Sequence, residues 1–174
     1  MLLRQGDPYP ELLRSCRREA FHLEVRDVYG VAAESEPFRR FLAGEAADYE
    51  WFQPWRSLVE ETTGRGVGVR RVRVVTEPHT DYQRWLLELT VRNVEAGEDI
   101  RYLPRHRAGE VQAEDYWLLD DERVAFHVRD DEGRGLGVAV TSDAWMVAHC
   151  VDAKQRLWNS AIPHAEYAAA TARQ

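Results

Sequence analysis

The stretch GVGVRRVRVVTEPHTDYQRWLLELTVRNVEAGEDIRYLP, residues 66–104, decides the fold. Val67 to Val75 is a valine-rich run of strand character, closed by the polar break Thr76-Glu77-Pro78-His79. Thr80 and Gln83 have the spacing of a helix capping box, and Tyr82, Trp85, Leu86, Leu89 and Asn93 then recur at helical spacing. Ala96-Gly97 supplies the C-terminal stop, and Ile100 to Leu103 is apolar enough for a second strand. Strand, helix and strand make one βαβ unit, whose strands are expected to run parallel through a right-handed crossover. Valines 67 and 69 are out of phase with valines 72 and 74, with Arg70 and Arg71 at the change, so a bulge or strand edge is expected at Arg70.

Upstream, Phe21, Leu23 and Val25 alternate with His22, Glu24 and Arg26, which predicts a strand over 20–28 with one wet face. Ser35-Glu36-Pro37 opens a short helix through Phe38, Phe41 and Leu42, stopped at Gly44. A second helix starts near Gln53-Pro54, carries Trp55, Leu58 and Val59 inward and ends at Gly64 to Gly66, with Tyr49, Trp51 and Phe52 at its mouth. Downstream, residues 104–114 are polar and read as a loop. Strands at Tyr116 to Leu119, Val124 to Val128 and Leu136 to Val140, broken by acidic turns, predict an antiparallel meander. Ser142 or Asp143 caps a last helix running to about Ala161, and the Ala-rich end beyond Tyr167 is expected to fray. The fold expected is one α/β domain over residues 1–174, a mixed sheet flanked by helices with an antiparallel C-terminal portion.

With 174 residues and a formal net charge of −7, the chain suits a single globule and disfavours direct nucleic-acid binding, which depends on Lys and Arg releasing counterions. No apolar run approaches the roughly 20 residues of a membrane span. The N-terminus lacks the marks of a secretory signal, and Cys16 and Cys150 form no metal-type or redox-type pair, so a cytoplasmic protein with two buried cysteines is expected.

No His-Glu-x-x-His motif, calcium loop, nucleophile elbow, Walker loop or dinucleotide fingerprint occurs, so no metal and no cofactor is expected. The best local cluster is Glu77, His79, Thr80, Asp81 and Arg84, at the strand-to-helix turn where open α/β sheets bind ligands. A purely local reading, in which Thr80 caps, Glu77 and Asp81 complement the helix dipole and His79 is exposed, stands beside it. Trp51, Phe52 and Trp55 form a second candidate surface for a protein partner or small ligand. An enzymatic alternative would use His79 or His127 as a base, and a nucleic-acid alternative would need Arg65, Arg70, Arg71 and Arg73 on one exposed face.

Trp51 to Trp55, Arg70 to Tyr82, Asn93 to Pro104 and Tyr116 to Val124 resemble a family of uncharacterised actinobacterial proteins, grouped as a domain of unknown function. That family is often encoded beside XRE-type helix-turn-helix regulators, which implies a regulatory setting and such a regulator as a possible partner. More remotely, the element order resembles half of a phospholipase D-type domain, whose His-x-Lys-x-x-x-x-Asp motif supplies a nucleophile and a phosphate-binding lysine. With Asp120 as the motif's aspartate, Asp115 stands at the lysine position and Ala113 at the histidine position. A carboxylate repels a phosphodiester and alanine forms no phosphohistidine, so the resemblance implies a non-catalytic accessory or sensor domain.

Overall fold

Apolar runs, valine-rich in β3 and aromatic and leucine-rich in β2 and β5, form the strands, and the computed structural model, which describes residues 1–4, 6–130 and 135–173, joins eight strands in one mixed sheet. In chain order the strands are β1 (Leu2–Arg4), β2 (Glu19–Glu24), β3 (Gly68–Val75), β4 (Glu98–Pro104), β5 (Tyr116–Leu119), β6 (Arg123–Arg129), β7 (Gly135–Thr141) and β8 (Ile162–Pro163). The helices are α1 (Tyr9–Ser15), α2 (Ser35–Leu42), α3 (Gln53–Gly64), α4 (Asp81–Ala96), α5 (Arg105–Ala108), α6 (Ala144–Ser160) and α7 (His164–Thr171). The strand order is β1-β7-β6-β5-β2-β3-β4-β8. β2, β3 and β4 run parallel as two consecutive βαβ units, and every other neighbour is antiparallel. The expected α/β domain with an antiparallel C-terminal portion is the fold observed.

Two apolar faces sandwich the sheet between helices. On one, Phe21, Leu23, Val72, Val74, Leu103, Tyr116 and Leu118 pack with Val147, Cys150 and Leu157 of α6. On the other, Ala20, Val69, Trp117, Leu119 and Ala125 pack with Leu12 and Leu13 of α1 and Leu58 of α3. Both cysteines are buried and free.

The valine phase change has a different cause from a bulge. β3 keeps unbroken register with β2, from Glu19↔Gly68 to Glu24↔Arg73, and with β4, from Val69↔Glu98 to Val75↔Pro104. Arg71 and Arg73 are 7% and 4% exposed, so they occupy core positions on the face that also carries Val69 and Val75. The expected wet face of β2 is likewise buried, with His22 at 6% and Glu24 at 9% exposure.

Other expectations shift. Thr80 accepts a hydrogen bond from the Gln83 backbone N–H, but the Gln83 side chain donates to the carbonyls of Arg26 and Asp27 rather than closing a capping box. Within the expected loop over 104–114, residues 105–108 form α5. The expected frayed end is α7, held by a Tyr167 ring that is 3% exposed and stacks on Tyr102 with ring centroids 4.9 Å apart. Asp143 caps α6 through the Met146 N–H, and most of the expected turn at 130–133 lies outside the described residues.

At the β5–β6 turn, Asp120 and Asp121 take left-handed backbone angles, with φ of 56° and 59°. The Asp120 carboxylate accepts from the backbone N–H groups of Arg17, Arg18 and Glu19, tying the start of β2 to the turn. Burial opposes its ionisation, yet these donors hold its pKa below the ordinary value. Asp120→Ala should therefore lower unfolding free energy by about 2 kcal/mol in urea titration. The carboxylate's contribution is present above pH ~4, the unfolded value, and is lost as pH falls through the lower folded pKa, so the variant and parent should converge in strong acid.

Candidate functional site

Strand register places the site's side chains in two cross-strand rows on the α1, α3 and α4 side of the sheet. The first row is Ala125, Trp117, His22, Arg71 and Ile100, each the Cα partner of the next. The second holds Glu24, Arg73 and Tyr102 in register, and Asp115 and His127 extend it, because Asp115 binds the Val25 N–H through Oδ1 and the His127 N–H through its carbonyl. Alternation along each strand puts the two rows on one face.

Charge pairing at the centre is dense. Arg71 donates Nη1 to Glu24 Oε1 at 2.6 Å and Nη2 to Glu98 Oε2 at 2.8 Å. Arg73 donates Nε to Glu24 Oε2 at 2.6 Å and Nη1 to Thr90 Oγ1 at 2.8 Å and the Tyr102 hydroxyl at 3.1 Å. The second Glu98 oxygen, Oε1, accepts from Trp55 Nε1 and Asn93 Nδ2, each at 2.6 Å. Burial opposes ionisation of Glu24, but Arg73 and Arg71 hold its pKa well below the ordinary carboxylate range. Arg71 is raised by Glu98 and Glu24 despite the burial that works against it.

Beside this network lies a cavity of about 740 Å³, within the usual size range of small-molecule sites. His22 and His127 share its wall with near-parallel rings, 9° apart in plane and 5.2 Å between centroids, and Trp117 stacks on His22 at 4.3 Å. Burial, then the neighbouring arginines, keeps His22 neutral with a pKa far below normal, although Glu24 pulls the other way. Burial and Arg129 push His127 down to about 4. Burial pushes Asp115 up to about 6. The segment from Tyr29 to Phe52 supplies the outer wall with Tyr29, Glu34, Trp51 and Phe52. It is anchored by a Tyr82–Glu34 hydrogen bond and by Phe38, which packs edge-on to Tyr82.

Both nitrogens of His22, Oδ1 of Asn93, Oδ2 of Asp115 and Nε2 of His127 are buried without a hydrogen-bond partner, and all four residues line the cavity. Buried polar groups are ordinarily paired, so such an accumulation marks a place built for something else. Among the described residues, no group of three or more His, Cys, Asp or Glu side chains could hold a metal ion.

The residues singled out by sequence separate into different roles. Trp51, Phe52 and Trp55 line the cavity, with Phe52 buried and the two tryptophans half-buried, so they face inward rather than forming an open patch. Glu77 and His79 both bind the Tyr167 hydroxyl, at 2.7 and 2.6 Å, and fasten α7 to the β3–α4 turn. Thr80 caps α4, and Arg84 and Asp81 pair with each other at the surface. Ala113 is exposed, Asp115 is in the cavity and Asp120 anchors β2, so the three positions of the phospholipase-type spacing do not converge. The four arginines of the nucleic-acid alternative do not share an exposed face: Arg71 and Arg73 are buried, Arg70 pairs with Glu19, and Arg65 binds the carbonyls of Leu13 and Arg14. His22, Glu24, Arg71, Arg73 and Glu98 were not singled out as one site. Their available signal was polar residues at alternate core positions of β2 and β3, with Glu98 opening β4.

The fold is similar to that of the phospholipase D family member Nuc from Salmonella typhimurium, with a TM-score of 0.53, 10% identity, and 88% of this chain and 86% of that chain covered. At that identity the likeness is one of fold alone. No curated protein matches the chain by sequence. The profile of a family described as "Domain of unknown function (DUF6879)" matches residues 8–169.

Glu24→Gln tests the charge network, because it leaves two buried guanidinium groups short of one negative charge. Unfolding free energy should fall by about 3 kcal/mol or more in denaturant titration. In the parent, the Glu24 contribution is present above pH ~4 and is lost as pH falls through its depressed folded pKa.

Proposed function

From the premise that this chain belongs to the DUF6879 family, on a phospholipase D-like fold, we propose that it is a non-catalytic sensor or accessory domain that binds a small ligand in the cavity beside the sheet. The observation that carries this reading is that the lining residues His22, Asn93, Asp115 and His127 each hold a buried polar atom without a hydrogen-bond partner. A ligand supplying those partners removes the cost of leaving them unmade. The strong charges are already spent on one another through Arg71, Arg73, Glu24 and Glu98, an arrangement suited to holding shape rather than to transferring protons or phosphoryl groups. The family resemblance supports a cytoplasmic, regulatory setting with a helix-turn-helix protein as the partner that reads occupancy. Among the described residues no helix is long and apolar enough to cross a membrane.

A second reading, phosphoester hydrolysis at a non-standard site, is favoured by one observation: His127 and His22 share a cavity with Arg71 and Arg73. Against it, the carboxylate nearest His22 is Glu24 at 3.6 Å, whose oxygens both serve arginines. Turnover of a phosphodiester by purified protein, abolished by His127→Ala, would establish that reading instead.

Thermal-shift titration with a deproteinised metabolite extract should raise the unfolding temperature of the parent, and Asp115→Asn should remove most of that rise. In the ligand-free state the same variant should be more stable than the parent. Folded Asp115 keeps its proton up to about pH 6, whereas the unfolded group releases it near pH ~3.9, so the parent loses stability as pH rises between those values. Asparagine retains the Val25 hydrogen bond and removes that loss, giving a gain of roughly 1 kcal/mol above pH 7.

A further inference from the structure

We infer that the cavity ligand is a flat heteroaromatic ring bearing an amino group. The inference rests on the cavity being a binding site and names the chemistry that fits it. Trp51, Trp55, Trp117, Tyr9 and Tyr29 line the space, giving several aromatic faces against which a planar ring can stack.

The polar groups left over are three acceptors and one further imidazole nitrogen, His127 Nε2, which donates or accepts according to its tautomer. His22 is neutral, so it has one N–H and one lone pair. Its Nδ1 lies 3.6 Å from Glu24 Oε1, which favours the proton on Nδ1 and leaves Nε2 as an acceptor. Asn93 uses its amide N–H on Glu98 and keeps Oδ1 unpaired. Asp115 uses Oδ1 on Val25, while Oδ2 lacks a well-aligned hydrogen bond although Arg129 lies 3.9 Å away and the Tyr29 hydroxyl acts on the same carboxyl. Three acceptors along an aromatic-lined wall call for a ligand rich in N–H donors.

Competing chemistries fit less well. A phosphate would need uncompensated positive charge, but Arg71 and Arg73 are neutralised by Glu24 and Glu98, Arg14 by Glu61, and Arg129 faces Asp115. An alkyl chain would leave all three acceptors desolvated and unpaired. A ring amine supplies donors at its edge and a π-face for the tryptophans.

The test is tryptophan fluorescence of the full chain titrated with adenine and with purine, which lacks the amino group. Saturable quenching is expected with adenine bound at least tenfold tighter than purine. His22→Phe, which keeps a ring and deletes the acceptor, should cut that advantage at least threefold. Asp115→Asn, which turns the free acceptor into a donor, should act in the same direction and serves if His22→Phe does not fold. Equal binding of the two bases, or a full adenine advantage in both variants, overturns the inference. If inorganic phosphate or decanoate quenches while neither base does, the ligand class is wrong and the cavity reading stands. Silence of every probe and of the metabolite extract removes both.

Discussion

Two arginines on a central strand, buried on the face where a core would be, govern the rest of this structure. A guanidinium cannot leave water without opposite charge and hydrogen bonds at close range, so Arg71 and Arg73 require Glu24 on the neighbouring strand and Glu98 at the start of the next. Those pairings demand the parallel register of β2, β3 and β4 as it stands. A one-residue slip would send the arginines to the opposite face, among Phe21, Leu23, Val72 and Val74.

The same constraint makes room for a site. A charged network cannot be packed over with leucine, so helices α3 and α4 approach it through Trp55, Asn93 and Thr90, polar-tipped side chains that satisfy the carboxylates and guanidinium groups. The segment from Tyr29 to Phe52 closes the outside with aromatic rings rather than a helix face. Between these walls the cavity persists, lined by His22, Asn93, Asp115 and His127, which hold the unpartnered polar atoms. Locked charges give rigidity, and on the proposed reading the uncommitted polar groups would give recognition. The raised pKa of Asp115 records the cost of keeping one such group dry.

Much of the fold was legible in the sequence because it is written in local signals. The βαβ unit over residues 66–104 follows from a valine run, the Thr80 cap, helical spacing from Tyr82 to Asn93 and the Gly97 stop, where φ of +111° suits glycine. The meander follows from three β-prone runs and their acidic turns. What failed was the assumption that polar residues on a strand face water. His22 and Glu24 alternate with apolar neighbours as an exposed strand would, and Arg71 and Arg73 interrupt the valine phase as a bulge would. Only the pairing of β2 with β3, a contact far apart in sequence, shows that each row buries the other. Helix α7 was hidden for a related reason, since its alanines carry no amphipathic stripe and its anchors, Tyr167 on Tyr102 and His164 on the Leu87 carbonyl, are recognisable only against distant residues. Of the site itself, Trp51, Phe52 and Trp55 were visible as an aromatic cluster, and Asp115 and His127 were noticed for other reasons.

The central claim is that the buried face of β2 and β3 holds a ligand against His22. The most direct measurement is imidazole nitrogen NMR of the six histidines while a deproteinised metabolite extract is added to the folded protein. The account predicts that the signals of His22 and His127 move together and that those of exposed His106 and His149 stay in place. Movement confined to the outer histidines, or no movement at all, would contradict it.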